Sequence, residues 1–150
     1  MAESDPFDLA RFVAAQDAGG TYEAALRELR AGRKRSHWMW FVFPQLAGLG
    51  RSATAQHFAL TSSDEAAAYL AHPVLGPRLL TCGRAVLDSP ATSADELLGP
   101  VDAQKLRSSA TLFALAAADP EQRQVFAAVL DRYYGGEHDA ATLRLLRQPG

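Results

Sequence analysis

Between Gly32 and Gln45 the chain reads Gly-Arg-Lys-Arg-Ser-His-Trp-Met-Trp-Phe-Val-Phe-Pro-Gln, gathering both tryptophans, two of seven phenylalanines, three successive cations and a histidine. Ring faces attract cations, and tryptophan is the best of them. Ring faces also stack on nucleobases. Lys34 or Arg35 beside Trp38 and Trp40 could therefore pair a phosphate contact with stacking on a base or ribose. Ser36 adds a hydroxyl and Gln45 an amide. His37 is the only histidine next to such cations. Their charge favours its neutral form, which suits a hydrogen-bond acceptor or a general base near neutral pH. The competing reading is one of packing: Trp38, Phe41 and Phe43 anchor a core, and the cations form a solvated lip.

A second polar group follows at Lys105, Arg107, Ser108, Ser109 and Thr111. On a helix, Lys105, Ser108 and Ser109 share a face by their three- and four-residue spacing, placing a cation and two hydroxyls where a phosphate or sugar could be held. The alternative is that the hydroxyls bond back to the preceding turn. His72, before Pro73, stands at a helix end, where an imidazolium would meet the C-terminal dipole. The four histidines have no metal-ligand spacing, so no metal site and no cofactor are expected. Cys82, the single cysteine, lies in an apolar stretch and reads as a buried structural thiol. Dinucleotide and P-loop glycine motifs, the nucleophile elbow and the zinc-protease pair are all missing.

The elements that would position these groups read as helices. Asp5-Pro6 caps a first helix that Gly19-Gly20 ends, and Thr21 can cap a second that runs to Gly32. Ser52 opens a short helix, Ser63-Asp64-Glu65 another that stops at His72-Pro73, and a further helix spans Val74 to Leu87. Ser93 with Glu96 forms a capping box. Longer helices follow from Val101 to Ala118 and, after Asp119-Pro120, to Tyr134. A last helix starts at Asp139 and ends before Pro149. Phe41-Val42-Phe43 is the one compact β-like run. The expected fold is all-α: an irregular orthogonal bundle of about seven or eight short helices, in a single domain over residues 1–150.

At 150 residues, 48% hydrophobic and 21% charged, the composition is that of an ordinary globular domain. The net charge of -2 disfavours a general nucleic-acid binder, although Arg27 to Arg35 contains five cations opposed only by Glu28. The N-terminus lacks a signal-peptide pattern and no apolar run is long enough for a membrane span, so a cytoplasmic protein without membrane contact is expected.

The run from Gly32 to Gln45 resembles a motif of the DUF1810 family of small bacterial all-helical proteins. Ala68 to Leu79 resembles that family's second motif and Lys105 to Phe113 its third, while Phe126–Gly136 and Asp139–Leu146 resemble its C-terminal pattern. Carried over by position, its polar motif residues are Lys34, Ser36, His37, Gln45, His72, Arg78, Lys105, Ser108, Thr111 and Asp139; Ala110 stands where the family often has methionine. In general character only, the motifs are also reminiscent of helical proteins acting on ADP-ribose derivatives.

The first expectation is a polar-aromatic cleft that binds a small anionic ligand such as a nucleotide, an ADP-ribose derivative or a sugar phosphate. Lys34, Arg78 and Lys105 would hold charge, Trp38 or Trp40 would stack, and Ser36, Gln45, His72 and Ser108 would complete the lining. With His37 as general base the cleft could extend to hydrolysis. The alternative is a non-enzymatic protein-interaction or structural module in which the same residues serve the core and a basic lip meets an acidic partner. RNA binding through Arg27–Arg35 is a third reading.

Overall fold

The computed structural model describes residues 5–147; the proposed stop at Pro149 and residues 1–4 of the N-terminus lie outside them. The described chain is an irregular all-α bundle. In order it forms α1 (Ala10–Asp17), a 3-10 turn (Ala18–Gly20), α2 (Thr21–Ala31), α3 (Met39–Val42), α4 (Ala53–His57) and α5 (Ser63–Ala71). There follow α6 (Leu75–Asp88), α7 (Ala94–Leu98), α8 (Pro100–Ala116), α9 (Pro120–Tyr134) and α10 (Ala140–Arg147). The β-like run becomes the single turn α3. The only β feature among the described residues is one isolated bridge, Leu46 with Leu60.

Most helix starts follow their caps. The Ser52, Ser62 and Ser93 hydroxyls accept from Ala55, Glu65 and Glu96 N–H, and Asp119 accepts from Glu121 N–H ahead of Pro120. Two starts differ from expectation. The Asp5 carboxylate accepts from Leu9 and Ala10 N–H, so it gathers the turn before α1 and the helix begins at Ala10. Thr21 donates to the Ala18 carbonyl instead of capping α2, whose N-cap is Gly20 in the left-handed region.

Helix α8 is the axis of the bundle. Its neighbours are α5, α7, α9 and α10, and Ala103, Leu106 and every residue from Ser108 to Ala114 are buried. An aromatic series crosses it: Phe12 meets Tyr69 edge-on at 5.1 Å between centroids, Tyr69 meets Phe113 at 5.5 Å, and Phe113 meets Phe126 at 5.5 Å. Edge and offset arrangements satisfy the ring quadrupoles. Among the described residues no helix is long and apolar enough to cross a membrane.

Helices α5 and α6 approach so closely at their corner that a Cβ at Gly76 would overlap the Leu70 carbonyl oxygen. That contact is backbone, so it cannot rotate away. Gly76→Ala is expected to destabilise the fold by about 3 kcal/mol, lowering the melting temperature on the order of 10 °C for a domain of this size. A thermal melt followed by circular dichroism reads it directly.

Candidate functional site

The aromatic segment is placed by Glu28, near the end of α2. Gly32, at φ 84, ends that helix and lies against Pro90. Its left-handed turn folds residues 33–36 back over the helix end. Glu28 Oε1 then accepts from Arg35 N–H (2.7 Å), Ser36 N–H (3.0 Å) and Trp38 Nε1–H (2.9 Å), while Oε2 accepts from the Ser36 hydroxyl (2.5 Å). Burial opposes the charge, but hydrogen bonds from the Ser36 hydroxyl, Arg35 N–H, Trp38 and Ser36 N–H outweigh it and hold the carboxyl down to about 2. The acid that seemed to oppose the cations of Arg27–Arg35 is thus turned inward.

The Lys34 N–H donates to the Leu97 carbonyl (2.7 Å), tying the loop to α7. Beside it, two ammonium groups converge on one carboxylate. Lys34 Nζ lies 3.0 Å from Asp102 Oδ2, and Lys105 Nζ lies 3.5 Å from Asp102 Oδ1. Each ammonium also faces an indole, Lys34 over Trp38 and Lys105 over Trp40, both at 5.3 Å from the ring centroid. The two halves differ in exposure. The Lys34 side chain is 9% exposed and Trp38 0%, whereas Lys105 is 24% exposed and Trp40 half-buried. Lys34 and Trp38 are the structural half; Lys105 and Trp40 face outward. Neither Glu28 nor Asp102 stood out in the sequence. The signals available were that Glu28 is the lone acid in a cationic run and that Asp102 precedes Lys105 by three residues.

The other sequence-derived residues lie elsewhere or do other work. His37 is exposed on the loop, and no hydrogen bond to an orienting group is found for it among the described residues. Gln45 is half-buried, and its carbonyl accepts from Leu60 N–H. His72 Nδ1 accepts from Val74 and Leu75 N–H (3.1 and 3.2 Å). Its ring therefore serves the start of α6 as an acceptor, in place of the dipole contact expected at the end of α5. Ser108 donates to the Gln104 carbonyl and Thr111 to that of Arg107, the back-bonding alternative. Thr111 also accepts from Asp139 N–H, and Asp139 caps α10 through Thr142 N–H and takes the Gln104 amide.

Arg78 belongs to a different cluster. Its guanidinium donates to Gln16 Oε1 (3.2 Å), pairs with Asp17 (2.8 Å) and stacks on Tyr22 at 4.9 Å. Gln16 in turn donates to the Phe41 carbonyl and the Tyr69 hydroxyl. Tyr22 opens α2 whereas Gly32 ends it, so about 15 Å of helix lies between this cluster and the turn that carries Lys34. Among the described residues Arg78 shares no hydrogen bond, ion pair or ring contact with Lys34 or Lys105, whose ammonium groups lie against Asp102 and the two indoles. Two open clefts, of about 470 and 480 Å³, flank Pro6 and Phe7. His72 lines the first, and Arg11, His57 and Glu65 the second; neither is lined by Lys34, Trp40 or Lys105.

Cys82 is wholly buried, and burial pushes its thiol up to about 12. It is no nucleophile in this fold. Among the described residues no group of three or more His, Cys, Asp or Glu is placed to hold a metal ion.

The depressed Glu28 carboxyl sets a pH dependence. Its charge stabilises the fold fully above the ordinary carboxylate value, and that contribution is lost as pH falls toward about 2. Because the group is partly solvated, Glu28→Gln is expected to cost about 1–2 kcal/mol at neutral pH. The variant should also show a flatter stability profile below about pH 5, as measured by urea denaturation across that range.

Known proteins bear on this geometry through family and structure. Residues 6–146 match the model of DUF1810, described as a protein of unknown function. Among solved structures, the conserved hypothetical protein Rv1873 from Mycobacterium tuberculosis is 51% identical, with a TM-score of 0.90, over 97% of this chain and 100% of that one. No curated protein matches. With a match over almost the whole chain and the family's motif residues arranged as described, the chain belongs to the DUF1810 family.

Proposed function

We propose that this protein binds a small anionic ligand at the corner formed by Lys105, Lys34 and Trp40, and that it does so as a binding protein of the cytoplasm. What carries the reading is the pair of ammonium groups on one carboxylate, each over an indole. Two positive charges against one negative leave a local excess of one, beside exposed Arg33 and Arg35. An anion arriving at Lys105 meets the looser of the two Asp102 contacts, 3.5 Å against 3.0 Å. Lys34 keeps Asp102 neutralised while Lys105 turns outward. Trp40 offers a ring that a base or sugar can lie on. The reading proposed is binding alone: His37 is exposed on the loop and has no hydrogen bond to an orienting group among the described residues, so nothing there supports extending it to hydrolysis.

A structural or interaction module is the competing reading, and a specific observation favours it: Glu28, His72, Ser108, Arg78 and Asp139 are all engaged by groups of the protein itself. Asp102→Asn separates the two. In a binding site, removing the carboxylate frees both ammonium groups, so affinity for an anion should rise several-fold even as the unliganded fold loses stability. The screen would use AMP, ADP-ribose, ribose 5-phosphate and citrate, reading thermal shift and titration calorimetry on wild type, Asp102→Asn and Lys105→Ala. A ligand at 100 times its Kd stabilises by about 2.7 kcal/mol, well within range of either method. Binding that strengthens in Asp102→Asn and disappears in Lys105→Ala is the expected result. If no anion binds wild type, or if Lys105→Ala binds as well as wild type, the reading fails and the module reading takes its place.

A further inference from the structure

The two clefts beside Phe7 differ in what their charged groups do. In the second, all five N–H groups of Arg11 are taken. Nε donates to the His57 carbonyl, Nη1 to those of Phe7 and Asp8, and Nη2 to the Ala59 carbonyl and Glu65. Glu65 is buried, and its other oxygen accepts from the Thr61 N–H and hydroxyl. This network anchors the segment ahead of α1, which also walls the first cleft. That cleft, of about 470 Å³, lies between the segment and the end of α5. Pro6, Phe7, Leu9, Ala68, Ala71 and Pro73 give it apolar walls, and Asp5 and His72 are its polar residues. His72 Nδ1 accepts from Val74 and Leu75 N–H. A ring nitrogen that accepts carries no hydrogen, so the N–H of this imidazole is at Nε2. Nε2 has no partner among the described residues, where Ser109 Oγ is the only buried side-chain N or O atom without one. Nε2 is therefore open to solvent. With Nδ1 turned to the start of α6, the Nε2 edge is the one left for the cleft.

Asp5 supplies the matching acceptor. Its two oxygens accept one main-chain N–H each, from Leu9 (2.7 Å) and Ala10 (3.0 Å), and each keeps a lone pair. The bonds from Ala10 and Leu9 hold its carboxyl below the usual carboxylate range, and the charge of nearby His72 adds to them. No hydrogen bond or ion pair joins Asp5 to His72 among the described residues, so each remains available. We infer that this cleft is a second ligand site, for a small neutral molecule that carries a primary carboxamide on an apolar body. The amide carbonyl accepts from His72 Nε2–H while its NH₂ donates to the Asp5 carboxylate. A carboxylate ligand would be repelled at Asp5, and an ammonium would give Nε2–H nothing to donate to. Each leaves a polar group unmatched, which costs affinity. The apolar walls then take a ring or a short alkyl group, in the usual manner of small-molecule clefts. An asparagine or glutamine side chain has the amide but no such body. None of Lys34, Asp102 and Lys105 lines this cleft, so the site is separate from the anion corner.

The test titrates the full chain, methyl-labelled at alanine, with benzamide, N,N-dimethylbenzamide, benzoate and benzylamine, and follows the Ala68 and Ala71 signals by NMR. Benzamide should shift both signals. The other three should bind about tenfold more weakly, since each lacks one of the two hydrogen bonds. His72→Ser keeps a side-chain acceptor for the start of α6, serine being a good cap, but withdraws the Nε2–H. Its melting temperature should stay near that of wild type while its affinity for benzamide falls about tenfold. Ala71 is exposed at the end of α5, so Ala71→Leu fills the cleft without entering the core and should abolish binding. Lys105→Ala should bind benzamide as wild type does, whatever becomes of the anion site. The inference is overturned if benzamide leaves both alanine signals unmoved, or if benzoate, benzylamine or the dimethyl amide binds equally well. Unchanged affinity in His72→Ser, or binding that survives Ala71→Leu, overturns it too.

Discussion

A carboxylate that accepts four hydrogen bonds cannot be displaced without releasing all four donors, and Glu28 is such a group. It joins the end of α2 to the main chain of Arg35 and Ser36 and to the indole of Trp38. Everything that follows depends on that junction. With the Trp38 indole N–H satisfied, its ring can be wholly buried without leaving a donor unpaired. With Trp38 fixed, the turn of α3 presents Trp40 to α8 two residues later. Lys34, held between these points by its bond to Leu97, has little freedom but to meet Asp102.

The fold keeps two polar systems at opposite ends of α2. At one end Arg78, Gln16, Asp17 and Tyr22 form a closed set that reaches through Gln16 to the Phe41 carbonyl and Tyr69. At the other lie Lys34, Asp102 and Lys105. Both systems touch α3, one through its carbonyl and the other through the face of Trp40. The short turn is therefore held by polar contacts on both sides while its Met39 and Val42 face the core. The first system consists of groups that satisfy one another. The second sets two ammonium groups against one carboxylate, beside the half-buried ring of Trp40.

Local signals in the sequence carried much of this arrangement. Ser52, Ser93, Asp119 and Asp139 cap the helices they precede because a short acceptor side chain reaches the next N–H groups whatever the tertiary context. Gly32 and Gly135 end α2 and α9 in the left-handed region for an equally local reason. The aromatic segment was visible as a place that needs burial. Other features were not local. Asp5 reaches past its own turn, with Asp8 at φ 52 between it and α1, so the helix starts later than its cap. Glu28 and Asp102 look like ordinary solvated acids until the loop folds back and α8 arrives. The place of Arg78 within the second motif says nothing about which end of α2 it will occupy. His72 read as a helix end, which it is, but the end it serves is the beginning of the next helix.

The use that Glu28 makes of the chain has a consequence for how this segment can vary. Arg35 contributes only its main-chain N–H, and its side chain is exposed, as is that of Arg33. Their identities are free so far as the junction is concerned. The number of residues is not: the span from Glu28 to Trp38 has one length at which two successive N–H groups, a hydroxyl and an indole all reach the same carboxylate. One residue more or fewer would leave Ser36 and Trp38 out of phase with Glu28. The spacing of the motif is in this sense a ruler, read by a single side chain, and it constrains insertions and deletions more tightly than substitutions.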